Sequence, residues 1–381
     1  MSVTKFVVLL ILFDLSFSLG QSDIKVFNLK DYGAVEGGNV DISQALLRAW
    51  NDACKWKGRS RVEIPRGATY LVNPVQLKGP CSGPTGFRNM GTLKAPRGLR
   101  GQSWIEFQYI DRLAVYGTGI FDGQGPPKMA GPNLPTLLRY SFVTNSKLQK
   151  VKLINSQSTH FHLFKCNKIT IRKVVISSPG DSPNTDGIKI GNSEGINIVD
   201  TTIASGDDCV AIITGSKNIT VTRVVCGPGH GISIGSLGTS PNDQVEQVVV
   251  QNCKIFDAMN GLRIKTWATN MPGRINNILY QDISLINVDN PIIIDQNYCP
   301  SRTCSKANSG IQISDVKFIN ITGTSQTIDA VNLQCSGSNP CKSIELKNID
   351  ITYVKGVNNT VSTCSNVREQ AFGLQIPKPC I

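Results

Sequence analysis

Asp186, Asp208 and His230 recur at intervals of 22 residues, and Asp207 stands directly before the second of them. Carboxyl groups and an imidazole brought together can divide acid and base work. One carboxyl keeps a proton to donate, while another stays ionised to activate water or to attack directly. Two adjacent carboxylates repel, and neighbours on a straight strand point to opposite faces. The pair in S-G-D-D-C-V-A-I, residues 205–212, therefore needs a bend that aims both acids into one cleft. Their repulsion then has a use, because crowding raises the pKa of one member and keeps a proton available. Lys189, Arg263 and Lys265 lie on the strands that follow these positions and call for a ligand that is itself anionic.

These residues sit on a repeating frame. An alternating apolar pattern starts at Ile169, Ile196, Ile219, Val248, Ile278, Ile311 and Ile344, and a second short apolar strand follows the copies at 187–190, 209–212, 231–234, 261–264 and 291–294. Alternation marks strands, and copies every twenty to thirty-odd residues mark a solenoid whose units bury a face only by stacking. The expected fold is all-β, a parallel β-helix. Equivalent residues of successive turns then stack about 4.8 Å apart, so Asp186, Asp208 and His230 form a column with Asn260 on the outer wall. Ile188, Val210, Ile232 and Leu262 point inward, while Lys189, Ala211, Ser233 and Arg263 point outward. Small outward side chains leave room for a ligand.

One amphipathic helix is expected, from Ser43 as N-cap to Cys54, covering the N-terminal opening. The tail from Cys335 covers the other end. Residues 125–136, rich in Pro and Gly, read as a loop projecting from the side. No linker interrupts the 381 residues, so residues 21–381 are read as one domain.

Residues 1–20 carry Lys5, the apolar run Phe6–Phe13 and the small pair Ser18 and Gly20, the pattern of a secretory signal peptide, with Asp14 an unusual intrusion. The run is too short to span a membrane. Twelve cysteines suit an oxidising compartment. The close pairs are Cys54/Cys81, Cys209/Cys226, Cys299/Cys304, Cys335/Cys341 and Cys364/Cys380, leaving Cys166 and Cys253 as buried thiols. No C-x-x-C occurs, so no zinc site is expected. Asn218, Asn320 and Asn358 each open an N-x-T sequon. A formal charge of +12 points to a polyanionic partner. A secreted chain without a long basic run or a recognisable nucleic-acid module suits an acidic polysaccharide better than nucleic acid.

The residues resemble the polygalacturonases, glycoside hydrolases of the pectinase β-helix superfamily. The blocks N184-T-D-G, G206-D-D, G229-H-G and R263-I-K occur in the family's order, and C226-G-P-G-H-G-I-S-I-G-S-L-G238 matches the plant form of the third at length. The opening D31-Y-G-A, A49-W-N-D-A-C and F121-D-G-Q-G extend the likeness over nearly the whole mature chain. In overall character the sequence is most similar to pollen-type exopolygalacturonases. The resemblance implies a right-handed parallel β-helix that hydrolyses α-1,4-galacturonosyl linkages of homogalacturonan with inversion. It implies no metal or other cofactor, and an extracellular monomer of the cell wall. By position, Asp207 is the general acid and Asp186 and Asp208 hold and activate the water. His230 tunes the acid, Asn184 positions substrate, and Arg263 and Lys265 grip a galacturonate carboxylate beside Tyr298. Lys189 stands where many plant members have histidine, and W267-A-T replaces W-Q-G, which bears on subsite preference.

Three other readings use the same frame. A pectate-lyase-like enzyme would need calcium ligands and a base for elimination, and the four blocks are not a lyase's. An inactive wall-binding β-helix would not need every catalytic residue type intact. A hydrolase of rhamnogalacturonan or substituted galacturonan fits less well, because Lys189, Arg263 and Lys265 favour plain uronates in adjoining subsites. An Asp/Asn ladder that merely satisfies backbone groups leaves the convergence of His230, Arg263 and Lys265 unexplained. Endo-attack remains the alternative to exo-attack.

Overall fold

The computed structural model describes residues 24–126, 131–301, 303–304, 307–356 and 360–380. The signal segment, part of the 125–136 loop and Asn358 lie outside them. The strands pair in parallel throughout and stack into two sheets, one of 21 strands and one of 11. The 11-stranded sheet runs from Val75–Lys78 to Val361–Ser365 and carries the column of acids. Between the sheets lies one continuous apolar core, built from the inward residues of every rung.

Period-2 alternation produces this arrangement directly. Ile188, Val210, Ile232, Leu262 and Ile292 lie in register on successive rungs, and all are fully buried. Parallel strands need a covered face to be stable, and each rung supplies it to the next. In the larger sheet, Ile169, Ile196, Ile219, Val248 and Ile278 also pair in sequence as expected. The next start is displaced. Ile278 pairs with Val316, while Ile311 pairs with Gly273. The long strand Ile311–Ser325 repeats the alternation at Ile311/Ile313 and again at Val316/Phe318, so apolar pattern alone does not choose between the two registers.

The helix spans Ser43–Lys55. Its Leu46, Ala49, Trp50 and Ala53 are fully buried, and the Trp50 ring meets Phe107 edge-on at 5.4 Å. Ser43 is the first helical residue rather than the N-cap, which is Ile42 and offers no side-chain bond. Asp41 takes the capping work, accepting from the Ser43 N–H at 3.1 Å and the Ser43 hydroxyl at 2.5 Å. A carboxylate there satisfies an orphan donor and faces the positive end of the helix.

All five expected cystine pairs are formed, and Cys166 and Cys253 are buried free thiols. Asn218 is exposed on the larger sheet, whereas the Asn320 amide donates to Asp282 at 2.7 Å. No helix among the described residues is long and apolar enough to cross a membrane.

Candidate active site

The chain leaves the strand Thr202–Ala204, bends at Gly206 and Asp207, and re-enters the core at Val210. The bend is tight. A Cβ at Gly206 would lie 2.0 Å from the Ser182 carbonyl oxygen, so no larger residue fits. Through it, Asp207 and Asp208 both line one cavity of about 630 Å³ on the outer wall. Cys209, bridged to Cys226, ties this turn to the following one.

Asp186, Asn184, Lys189, Lys265 and Tyr298 line the same cavity. Its far wall includes Trp267, and its near side includes Ser158, Thr159 and the described part of the side loop, Gly131, Asn133 and Leu134. His230 and Arg263, both partly exposed, are not among its lining residues. The His230 ring nitrogen Nδ1 lies 3.2 Å from Asp207 Oδ1, and the Arg263 guanidinium lies 4.9 Å from the Tyr298 ring centre. Tyr298 packs on Trp267 at 5.1 Å.

The three carboxylates differ in setting. Asp208 is buried and accepts the Lys265 ammonium at 2.7 Å and the Ser233 hydroxyl at 2.6 Å. Asp186 is buried and accepts from Lys189 and from Thr159, each at 3.0 Å. Asp207 is the most open, its side chain 23% exposed against 8% for Asp186 and 3% for Asp208. Burial pushes Asp186 up to about 6, against the pull of Lys189 and with the help of Asp207 and Asp208. Burial also acts to raise Asp207, but His230, the Asp208 N–H and the Lys265 charge outweigh it and hold Asp207 below the usual carboxylate range. The cluster therefore splits its titration as crowded acids should, with the raised member at Asp186.

Two cations have partners inside the site. Lys189 and Lys265 each neutralise one buried carboxylate. Arg263 Nε is buried without a partner, and its charge also reaches Asp295. Asp207, Asp208 and His230 offer ligand atoms within 4.8 Å of one another, but a metal ion there would compete with the Lys265 ammonium for Asp208.

Two partners were not singled out from sequence. Thr159 lies one rung before Asp186, since Phe161 pairs with Ile188, and extending the column backwards finds it. Ser233 carries the outward parity, yet its hydroxyl serves Asp208 and does not merely make space. His160 is fully buried and bonded to Ser178, and burial lowers its pKa to about 4.

Residues 54–373 match Glycosyl hydrolases family 28. An exopolygalacturonase of Platanus acerifolia is 42% identical over 372 residues, covering 94% of this chain and 98% of its own. A polygalacturonase of Gossypium barbadense is 41% identical over 363 residues, covering 92% of this chain and 89% of its own. An endo-xylogalacturonan hydrolase from Aspergillus tubingensis shares the fold at a TM-score of 0.79 and 24% identity, over 91% of this chain and 100% of that one. The acids on stacked rungs and the matches along the whole helix agree, and the chain belongs to glycosyl hydrolases family 28.

Proposed function

We propose that this chain hydrolyses α-1,4-galacturonosyl linkages of polygalacturonate, acting from the non-reducing end and inverting the anomeric centre. The observation that carries the reading is the convergence of Asp186, Asp207 and Asp208 on one cleft that also holds Lys189 and Lys265. Asp207, the open carboxyl, donates its proton to the leaving glycosidic oxygen. Asp186 and Asp208 orient a water whose oxygen bonds the anomeric carbon as the old bond breaks, and they receive its proton. The titratable proton belongs to the cluster rather than to one residue. In the free site burial favours Asp186. An entering uronate adds negative charge, which raises carboxyl pKa values and draws a proton onto Asp207. Arg263, aligned by Tyr298, supplies charge for the substrate carboxylate, and Asn184 lines the entrance.

Exo-attack is supported by Gly131, Asn133 and Leu134, which line the cleft together with Ser158 and Thr159. A disulfide-closed loop, Cys299–Cys304, follows Tyr298. The signal-like leader and five disulfides support secretion into the cell wall, where an acidic polysaccharide meets a chain of charge +12. One domain over residues 21–381, acting as a monomer without cofactor, completes the reading. Product analysis on polygalacturonate tests it. Galacturonate without a 4,5-unsaturated end is expected. An unsaturated product absorbing in the ultraviolet would instead show elimination.

A further inference from the structure

Tyr109, Phe142, Phe164 and Lys165 form an exposed aromatic and cationic strip on the sheet that carries the acids, on rungs before the cleft. Tyr109 and Phe142 stack with centroids 4.8 Å apart and planes 15° from parallel. Phe164 meets Phe142 edge-on at 6.0 Å. The Lys165 ammonium lies 5.5 Å from both the Phe142 and the Phe164 centroids, and it makes no ion pair among the described residues.

Two observations set this strip apart from core packing. Tyr109 is 53% exposed and Phe142 37%, whereas Trp50, Phe87, Phe107, Phe121, Tyr140 and Phe161 are buried. Tyr109 and Phe142 both have φ of +57°, and among the described residues they are the only aromatics in the left-handed region. Lys165 and Asn192 hold the equivalent turn position on later rungs with φ of +54° and +51°, so the turn belongs to the repeat, but bulky aromatic side chains rarely occupy it. Exposed contiguous apolar surface rimmed by charge marks a binding site more often than chance.

The strip is continuous with the cleft. Phe164 pairs with Gly191, and the side chain of Ile213, which lines the cleft, packs over that glycine, 3.1 Å from where a Cβ would stand. On the neighbouring column, Lys165 N–H donates to Gly191 and Asn192 N–H donates to Thr214, which also lines the cleft. A pyranose presents a face of C–H groups to the electron-rich surface of aromatic rings, and a uronate adds the carboxylate that Lys165 complements.

We propose that this strip is a second docking platform for the acidic polysaccharide, outside the cleavage cleft. It rests on the reading that polygalacturonate is the substrate. The platform holds a neighbouring chain of the same polymer, because the chain being cleaved leaves the cleft on the opposite side, past Trp267 and Tyr298.

The test uses the full-length protein carrying Asp207→Asn, so that the polymer survives. Its retention in native gels containing polygalacturonate is compared with and without Tyr109→Ala/Phe142→Ala, and separately with Lys165→Ala, which is exposed and carries the test should the double variant misfold. The expected loss of retention is on the order of tenfold for the double variant, and smaller but salt-sensitive for Lys165→Ala. The same substitutions in active protein are assayed on soluble polygalacturonate and on digalacturonate. A fall in kcat/KM for polymer relative to digalacturonate would overturn the neighbouring-chain assignment. Lost gel retention with an unchanged ratio assigns it to a neighbouring chain. Unchanged retention in the folded variants overturns the platform while leaving the catalytic reading intact. A parent protein that neither hydrolyses nor binds polygalacturonate overturns both.

Discussion

The Lys265 ammonium meets the Asp208 carboxylate at 2.7 Å with both side chains almost wholly buried. A buried charge left without its partner is costly, on the order of 3 kcal/mol or more. Lys265→Ala should therefore lower thermal stability as well as substrate affinity. Arg263→Ala removes a half-buried cation stacked on Tyr298 and should weaken binding of galacturonate with much less loss of stability. Parallel melting curves and KM measurements on both variants decide this. Equal destabilisation by both would mean that Lys265 is not bound to Asp208 as described.

The raised carboxyl predicts a pH profile. Asp186 must be ionised to activate water, and burial pushes it up to about 6. Activity should fall as pH drops through about 6. Lys189 pulls Asp186 downward, so Lys189→Ala should move the acid limb of kcat/KM to higher pH. Stability runs the opposite way. A carboxyl whose pKa is raised by folding contributes stability below the ordinary carboxylate range and loses it as pH rises through about 6. An acid limb that stays in place while KM alone rises would make Lys189 a subsite residue without influence on Asp186.

The acids were legible because two periodicities coincide. Alternation fixes which residues face outward, and the 22-residue rung fixes which of them stack, so the order Asp186, Asp208, His230 follows from counting. What counting misses is degenerate or non-local. The strand Ile311–Ser325 satisfies the apolar pattern in two registers, and the hydrogen-bond ladder chose Val316. Asp41 and Ser43 both suit a helix start, and the folded backbone gave the work to Asp41. Which carboxyl keeps the proton depends on burial summed over several rungs, so Asp186 emerged only from the packed site.

Asp207→Asn should remove the proton donor and leave folding intact, since Asp207 is the most exposed acid of the cluster. General acid catalysis is worth on the order of 10² to 10⁴ in rate. Turnover on polygalacturonate is expected to fall at least into that range, with an unchanged circular dichroism spectrum. A folded variant keeping a tenth of wild-type turnover would remove Asp207 from the acid role.

The anomeric outcome is a separate test. Asp207 and Asp208 approach within 4.8 Å, a separation closer to that of retaining enzymes than to the wider gap that usually admits a water. Inversion therefore requires the third carboxylate, Asp186, to take part in holding the water beside Asp208. Proton NMR of the first product formed should show the β-anomer of galacturonate. Initial release of the α-anomer would mean direct attack by one of the acids and would reassign Asp208 as nucleophile.

Exo-attack predicts how a polymer sample changes with time. An enzyme that binds a chain end needs its cleft closed near the scissile position, and an internal cutter needs it open at both ends. Gly131, Asn133 and Leu134 line the cleft together with Thr159, and the Cys299–Cys304 loop follows Tyr298. A cleft closed at the first of these accepts the terminal sugar and lets the chain run past Trp267 and Tyr298. Viscosity and reducing ends followed together on one polygalacturonate sample distinguish the two modes. Monogalacturonate should appear from the first minutes while viscosity barely changes. Replacing residues 131–134 by a shorter turn should then open the cleft and add oligomers to the products. A steep early fall in viscosity with mixed oligomers from the unmodified protein would sink exo-attack and leave an endo-acting enzyme with the same acids.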